Sequence, residues 1–131
     1  MSLEFGILQV FVTRWFGKFA KKERLPDSRI CEAVNRAESG LIDADLGGGL
    51  IKQRIAGSGG GRSGGFRTLI AFRAKDRSIF LYGFAKKERE NIGPDDLEDL
   101  KNTVAIFPAF SRAELAEAVS SGELKEIIRD G

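Results

Sequence analysis

The chain has 131 residues, 42% of them apolar, and 21 Lys plus Arg against 19 Asp plus Glu leave a formal charge of +2; this is length and apolar content enough for one domain with a real core. No histidine is present, which excludes Ser-His-Asp and Cys-His nucleophiles and imidazole metal sites, and the single Cys31 can neither close an internal disulfide nor hold zinc by itself. The small net charge hides a partition of 0 over residues 1–51, +8 over residues 52–89 and −6 over residues 90–131, and a basic middle of that density points to an anionic partner, nucleic acid first.

Residues 7–13 are apolar and β-branched and predict a strand. Thr13 is placed to cap a short helix that puts Phe16, Phe19 and Ala20 on one face and Arg14, Lys18, Lys21 and Lys22 outside. Leu25-Pro26-Asp27 ends it, and Asp27 is expected to cap a second helix through Ile30, Val34 and Ala37, stopped at Ser39-Gly40. From Leu46 to Gly65 the chain is glycine-rich, interrupted by Leu50 to Ala56, where alternation sets Lys52 and Arg54 opposite Ile51 and Ile55 as in a half-buried strand. Phe66–Phe72 and Ser78–Phe84 read as an antiparallel hairpin at the sheet centre. Pro94 with Asp95, Asp96 and Asp99 opens a third helix reaching Val104. Ser111 and Glu114 form a capping-box pattern before Leu115, Ala118 and Val119, and after a break at Gly122 a further short helix is expected through Leu124, Ile127 and Ile128.

The string Gly59-Gly60-Gly61-Arg62-Ser63-Gly64 fits G-x-G-x-x-G, but a β run rather than a helix follows it, so phosphate would meet no helix N-terminus and a hairpin loop carrying Arg62 is the better reading. Phe-Ala-Lys-Lys-Glu-Arg occurs at 19–24 and again at 84–89 with unrelated flanks. It reads as coincidence of composition, the first copy a solvated helix end and the second leaving a central strand. On the predicted strand from Phe66, Arg67, Leu69, Ala71 and Arg73 share a face, so Arg67 and Arg73 can stand beside Lys52 and Arg54 if the strands pair. Such a cluster suits RNA cleavage by the strand's own 2′-hydroxyl. Arginine forks hold phosphate oxygens in pairs, and a lysine crowded by like charge gives up its proton more readily and so can act as base or acid.

The order strand, two helices, Leu-Ile-Lys-Gln-Arg at 50–54, glycine-rich loop, Ser-Gly-Gly-Phe-Arg-Thr-Leu-Ile-Ala-Phe-Arg at 63–73 and Phe-Leu-Tyr-Gly-Phe-Ala-Lys-Lys-Glu-Arg-Glu-Asn-Ile at 80–92 resembles the RelE/HigB toxins of bacterial type II toxin–antitoxin pairs, and within them the HigB-like branch. The resemblance covers roughly residues 8–104. It implies an α+β fold of RelE/ParE type: a small twisted antiparallel sheet with two N-terminal helices and a following C-terminal helix packed on one face, and a basic concave face opposite. It divides the chain into a toxin domain at 1–106 and an acidic helical extension at 107–131. It further implies a metal-independent, cofactor-free endoribonuclease that cuts mRNA on the ribosome and is held inactive by a helix-turn-helix antitoxin.

Carried over by position, Lys52 is the candidate base, Arg67 the holder of the scissile phosphate, and Lys87 the group that stabilises charge or protonates the leaving oxygen. Lys86 and Arg89 flank Lys87, and with Arg54, Arg62 and Arg73 they complete the expected RNA-binding set. Where the RelE branch often carries a base-stacking tyrosine shortly after this motif, Ile92-Gly93-Pro94 stands instead. Two other readings of the same features are a ParE-like gyrase-poisoning toxin and a non-catalytic RNA-binding module. No apolar run reaches the roughly 20 residues that cross a bilayer, and the N-terminus lacks a signal-peptide pattern. A reducing cytoplasm is therefore the expected location and no membrane partner is foreseen.

Overall fold

A computed structural model of the chain describes residues 9–56, 65–73, 76–85 and 110–128, together with the helical positions Glu98 and Asn102. Six strands form one sheet: β1 (Gln9–Thr13), β2 (Ala44–Gly47), β3 (Leu50–Ile55), β4 (Phe66–Arg73), β5 (Arg77–Ala85) and β6 (Leu124–Ile127), in the order β2-β3-β4-β5-β1-β6. The helices are α1 (Arg14–Lys22), α2 (Asp27–Glu38) and α3 (Arg112–Ser121). The architecture is α+β, with β4 and β5 at its centre as the hairpin pattern predicts.

Local chemistry sets the element ends. Thr13 Oγ1 accepts from the Phe16 N–H at 3.1 Å and so caps α1. The same hydroxyl donates to the Leu81 carbonyl at 3.4 Å, which fixes the start of α1 against β5 where β1 ends. Asp27 is the first helical residue of α2 rather than its cap; Pro26 holds the cap position without a side-chain bond, and Asp27 favours the helix through the dipole. Gly48 and Gly49, at φ 64° and 89°, make the two-residue turn between β2 and β3, a conformation that glycine adopts at little cost.

Three expectations are corrected. The sheet is mixed, because β1 runs parallel to β5, with Val10 opposite Ser78 and Val12 opposite Phe80. Residues 124–127 form a strand antiparallel to β1, with Leu124 opposite Thr13 and Ile127 opposite Val10. Four residues cannot sustain a helix alone, whereas β1 offers an otherwise unpaired edge. The helices also do not share one face. α1 and α2 cover a core of Val10, Val12, Phe16, Ile30, Val34, Ile51 and Phe80. α3 covers the other side, where Leu115 and Ala118 pack with Phe11, Leu50, Leu69, Ala71 and Ile79. Of the third helix predicted from Pro94 only the helical positions Glu98 and Asn102 are described, and the boundary at 106/107 lies outside the described residues.

Candidate functional site

Register places the cations. In the β3–β4 ladder Lys52 pairs with Leu69 and Arg54 with Arg67, and in the β4–β5 ladder Leu69 pairs with Tyr82 and Arg67 with Phe84. Two rows therefore cross the sheet face that bears α3: Lys52, Leu69, Tyr82 and Arg54, Arg67, Phe84. Lys52 and Arg67 are diagonal neighbours, a placement that puts Cβ atoms about 7–8 Å apart. The three cations lie beyond the apolar residues that α3 covers, at the end of β3 and the start of β4.

Arg73 is on the same strand face but does not join them. Six residues of strand put it about 20 Å from Arg67, and the α3-covered core of Leu50, Leu69, Ala71 and Ile79 lies between. Its guanidinium pairs with Asp76 at 3.0 Å. Asp76 also takes Arg77 at 3.1 Å, a buried residue that donates to the Phe110 carbonyl at 2.7 Å and so ties the segment before α3 to the sheet. The basic face is thus a basic end. Arg62, Lys86, Lys87 and Arg89 lie outside the described residues.

The anionic partners that the basic segment lacks in sequence come from elsewhere. Asp43, from the neutral first third, accepts the Arg54 backbone N–H at 2.7 Å and pairs with the Arg54 guanidinium at 3.8 Å and with Arg36 at 3.6 Å. Arg36 in turn donates to the Arg54 carbonyl. Arg54 keeps a side chain 64% exposed. Among the described residues Arg67 makes no ion pair, so of the arginines gathered here it keeps the most capacity for an incoming anion.

Beneath the cations lies a polar brace that the sequence marks only as Gln53 between two buried isoleucines. Gln53 is 0% exposed. Its amide donates to the Ala33 carbonyl at 3.0 Å and the Leu41 carbonyl at 3.3 Å, and its oxygen accepts from the Asp43 N–H at 2.7 Å. It ties the middle of α2 and the turn that follows the helix to β3, and thereby sets Asp43 beside Arg54.

Aromatic residues also stand at the site. Simple alternation along β5 puts Phe80, Tyr82 and Phe84 on one face. A β-bulge breaks the phase: Leu69 pairs with Tyr82 but Ile70 with Phe80, leaving Leu81 as the extra residue. Phe80 stays under α1, while Tyr82 and Phe84 turn to the face of Lys52 and Arg67. Tyr82 stacks on Trp15 at 4.6 Å and lies 6.1 Å from Phe84.

A mixed sheet with helices on both faces and a cationic end backed by aromatic rings defines the chain as a small α+β protein with a polyanion-compatible surface. The family model of the RelE toxin of the RelE/RelB toxin–antitoxin system matches residues 8–127, and the chain belongs to that family, whose toxins are paired with an antitoxin. The match runs through β6. No curated protein matches the sequence. Among the described residues no helix is long and apolar enough to cross a membrane.

Proposed function

We propose that this RelE-family protein is a HigB-like, ribosome-dependent mRNA endoribonuclease that inhibits translation in the cytoplasm until a helix-turn-helix antitoxin binds it. One observation carries the reading: Lys52, Arg54 and Arg67 occupy adjacent register positions at the end of a rigid two-strand ladder, the placement a phosphate flanked by a proton acceptor requires. In this scheme the Arg67 guanidinium holds the non-bridging oxygens of the scissile phosphate. Lys52 Nζ takes the 2′-hydroxyl proton as O2′ attacks phosphorus, and the P–O5′ bond breaks. The departing O5′ takes a proton from a second cation, for which Lys87 is the candidate, giving a 2′,3′-cyclic phosphate and a free 5′-hydroxyl. The chemistry needs neither a metal nor histidine.

The test is purified protein added to translating ribosomes. Cuts at the A-site codon that disappear with Arg67→Ala support the reading. Intact mRNA together with DNA damage on induction would replace it with gyrase poisoning.

A further inference from the structure

The helix α1 carries Arg14, Lys18, Lys21 and Lys22 and no acidic residue over its nine positions. By sequence this reads as an ordinary solvated face, yet Trp15 stands among its cations. Trp15 is 47% exposed although tryptophan is usually well buried. It stacks on Phe19 at 5.5 Å and on Tyr82 at 4.6 Å, and its indole N–H makes no hydrogen bond among the described residues. Through Tyr82 and Phe84 the ring row reaches Arg67, the cross-strand neighbour of Phe84. On the helix, Lys18 and Lys22 follow Trp15 at i+3 and i+7, the same side of α1. An aromatic row therefore links the strand cations to the helix cations.

We infer that Trp15, steadied by Tyr82, is a contact site for an unpaired nucleobase of single-stranded RNA whose backbone runs from Arg67 toward Lys18 and Lys22. The inference rests on the nuclease reading above for its substrate class. Single-stranded RNA is read by aromatic rings beside a cationic backbone track, each ring contact being sequence-tolerant and strong. Phosphate alone would need the cations without the rings. Phe19 and Tyr82 stack on the indole, so the contact is made by its exposed rim, whose unused N–H donor matches the acceptors of a base.

Trp15 is the chain's single tryptophan, so its fluorescence reports the contact directly. The full-length protein is titrated with a non-cleavable 2′-O-methyl hexanucleotide and, separately, with an abasic strand of equal length and charge. Quenching by the base-bearing strand alone is expected in the parent, and filter binding, which does not need the fluorophore, should show affinity falling about tenfold in Trp15→Leu and less in Trp15→Phe. Equal quenching by both strands, or unchanged affinity in Trp15→Leu, overturns the assignment. The two readings fail separately. Base-dependent quenching by a protein that leaves ribosomal mRNA intact removes the nuclease and keeps the base contact, whereas A-site cutting without base-dependent quenching removes the contact and keeps the nuclease.

Discussion

Arg54 and Arg67 stand directly opposite one another across the β3–β4 ladder, a like-charge pairing that costs stability in a sheet. Asp43 offsets the first arginine from outside the ladder, and among the described residues no carboxylate pairs with the second. The pair is therefore asymmetric: Arg54 is held in place, while Arg67 faces whatever anion arrives.

Replacing Arg67 by Ala is expected to lower the rate of ribosomal mRNA cleavage by about two to three orders of magnitude, the usual cost of removing one donor to a charged transition state. Relief of the facing charge should leave the thermal midpoint equal to or slightly above that of the parent. Single-turnover cleavage and a melting curve on the same preparation check both parts.

The Asp43→Asn change keeps an oxygen acceptor near the Arg54 N–H but removes the charge shared by Arg54 and Arg36. Affinity for single-stranded RNA should rise at low salt, and the slope of log K against log salt should steepen by about 0.7 if one further phosphate contact forms. Filter binding over a salt series measures the slope; an unchanged value means that Asp43 does not hold Arg54 back from a phosphate.

Gln53→Leu fits the volume but leaves the Ala33 and Leu41 carbonyls and the Asp43 N–H without their partner. Buried groups left unsatisfied cost about 1–3 kcal/mol each, so urea unfolding should show a loss of about 3 kcal/mol or more.

How much of this was legible in the sequence follows from range. Contacts between near neighbours were readable: the Thr13 cap, the Ser111–Glu114 capping box, the alternation of Lys52 and Arg54 against Ile51 and Ile55 all stand in the structure. What escaped depends on distant partners. β2, with Asp45 and Gly47, has little strand character and exists because β3 pairs with it. β6 exists because β1 has a free edge. Arg73 looked equivalent to Arg67 on one strand, and α3 separates them. Tyr82 and Phe84 were hidden by a register shift that alternation does not reveal.

Gly83 lies beneath α1, and a Cβ there would stand 2.6 Å from Phe19 Cε2 and 3.1 Å from Phe16 Cε2. Gly83→Ala must push Phe19 aside, an overpacking cost of about 1–3 kcal/mol. Because Trp15 stacks on Phe19, the emission maximum of the tryptophan should shift to longer wavelength. A stable variant with unchanged emission would mean that the ring column is not coupled to β5 through this contact.

The last strand is expected to be indispensable. Leu124 is 2% exposed and sits with Phe11 and Leu115, and Leu124→Ala should cost about 2–4 kcal/mol. A chain ended at Gly122 should fail to give a cooperative thermal transition. A cooperative transition in that truncated chain would show instead that residues beyond Gly122 are an accessory.

The bulge at Leu81 has the weight of a reading frame. Were Leu81 paired in the ladder instead of bulged, Tyr82 and Phe84 would fall in phase with Phe80 and lie beneath α1, with every cation of β3 and β4 left where it is. The aromatic row and the cations therefore answer to separate features of the sequence, one to the phase of β5 and the other to the side chains of β3 and β4.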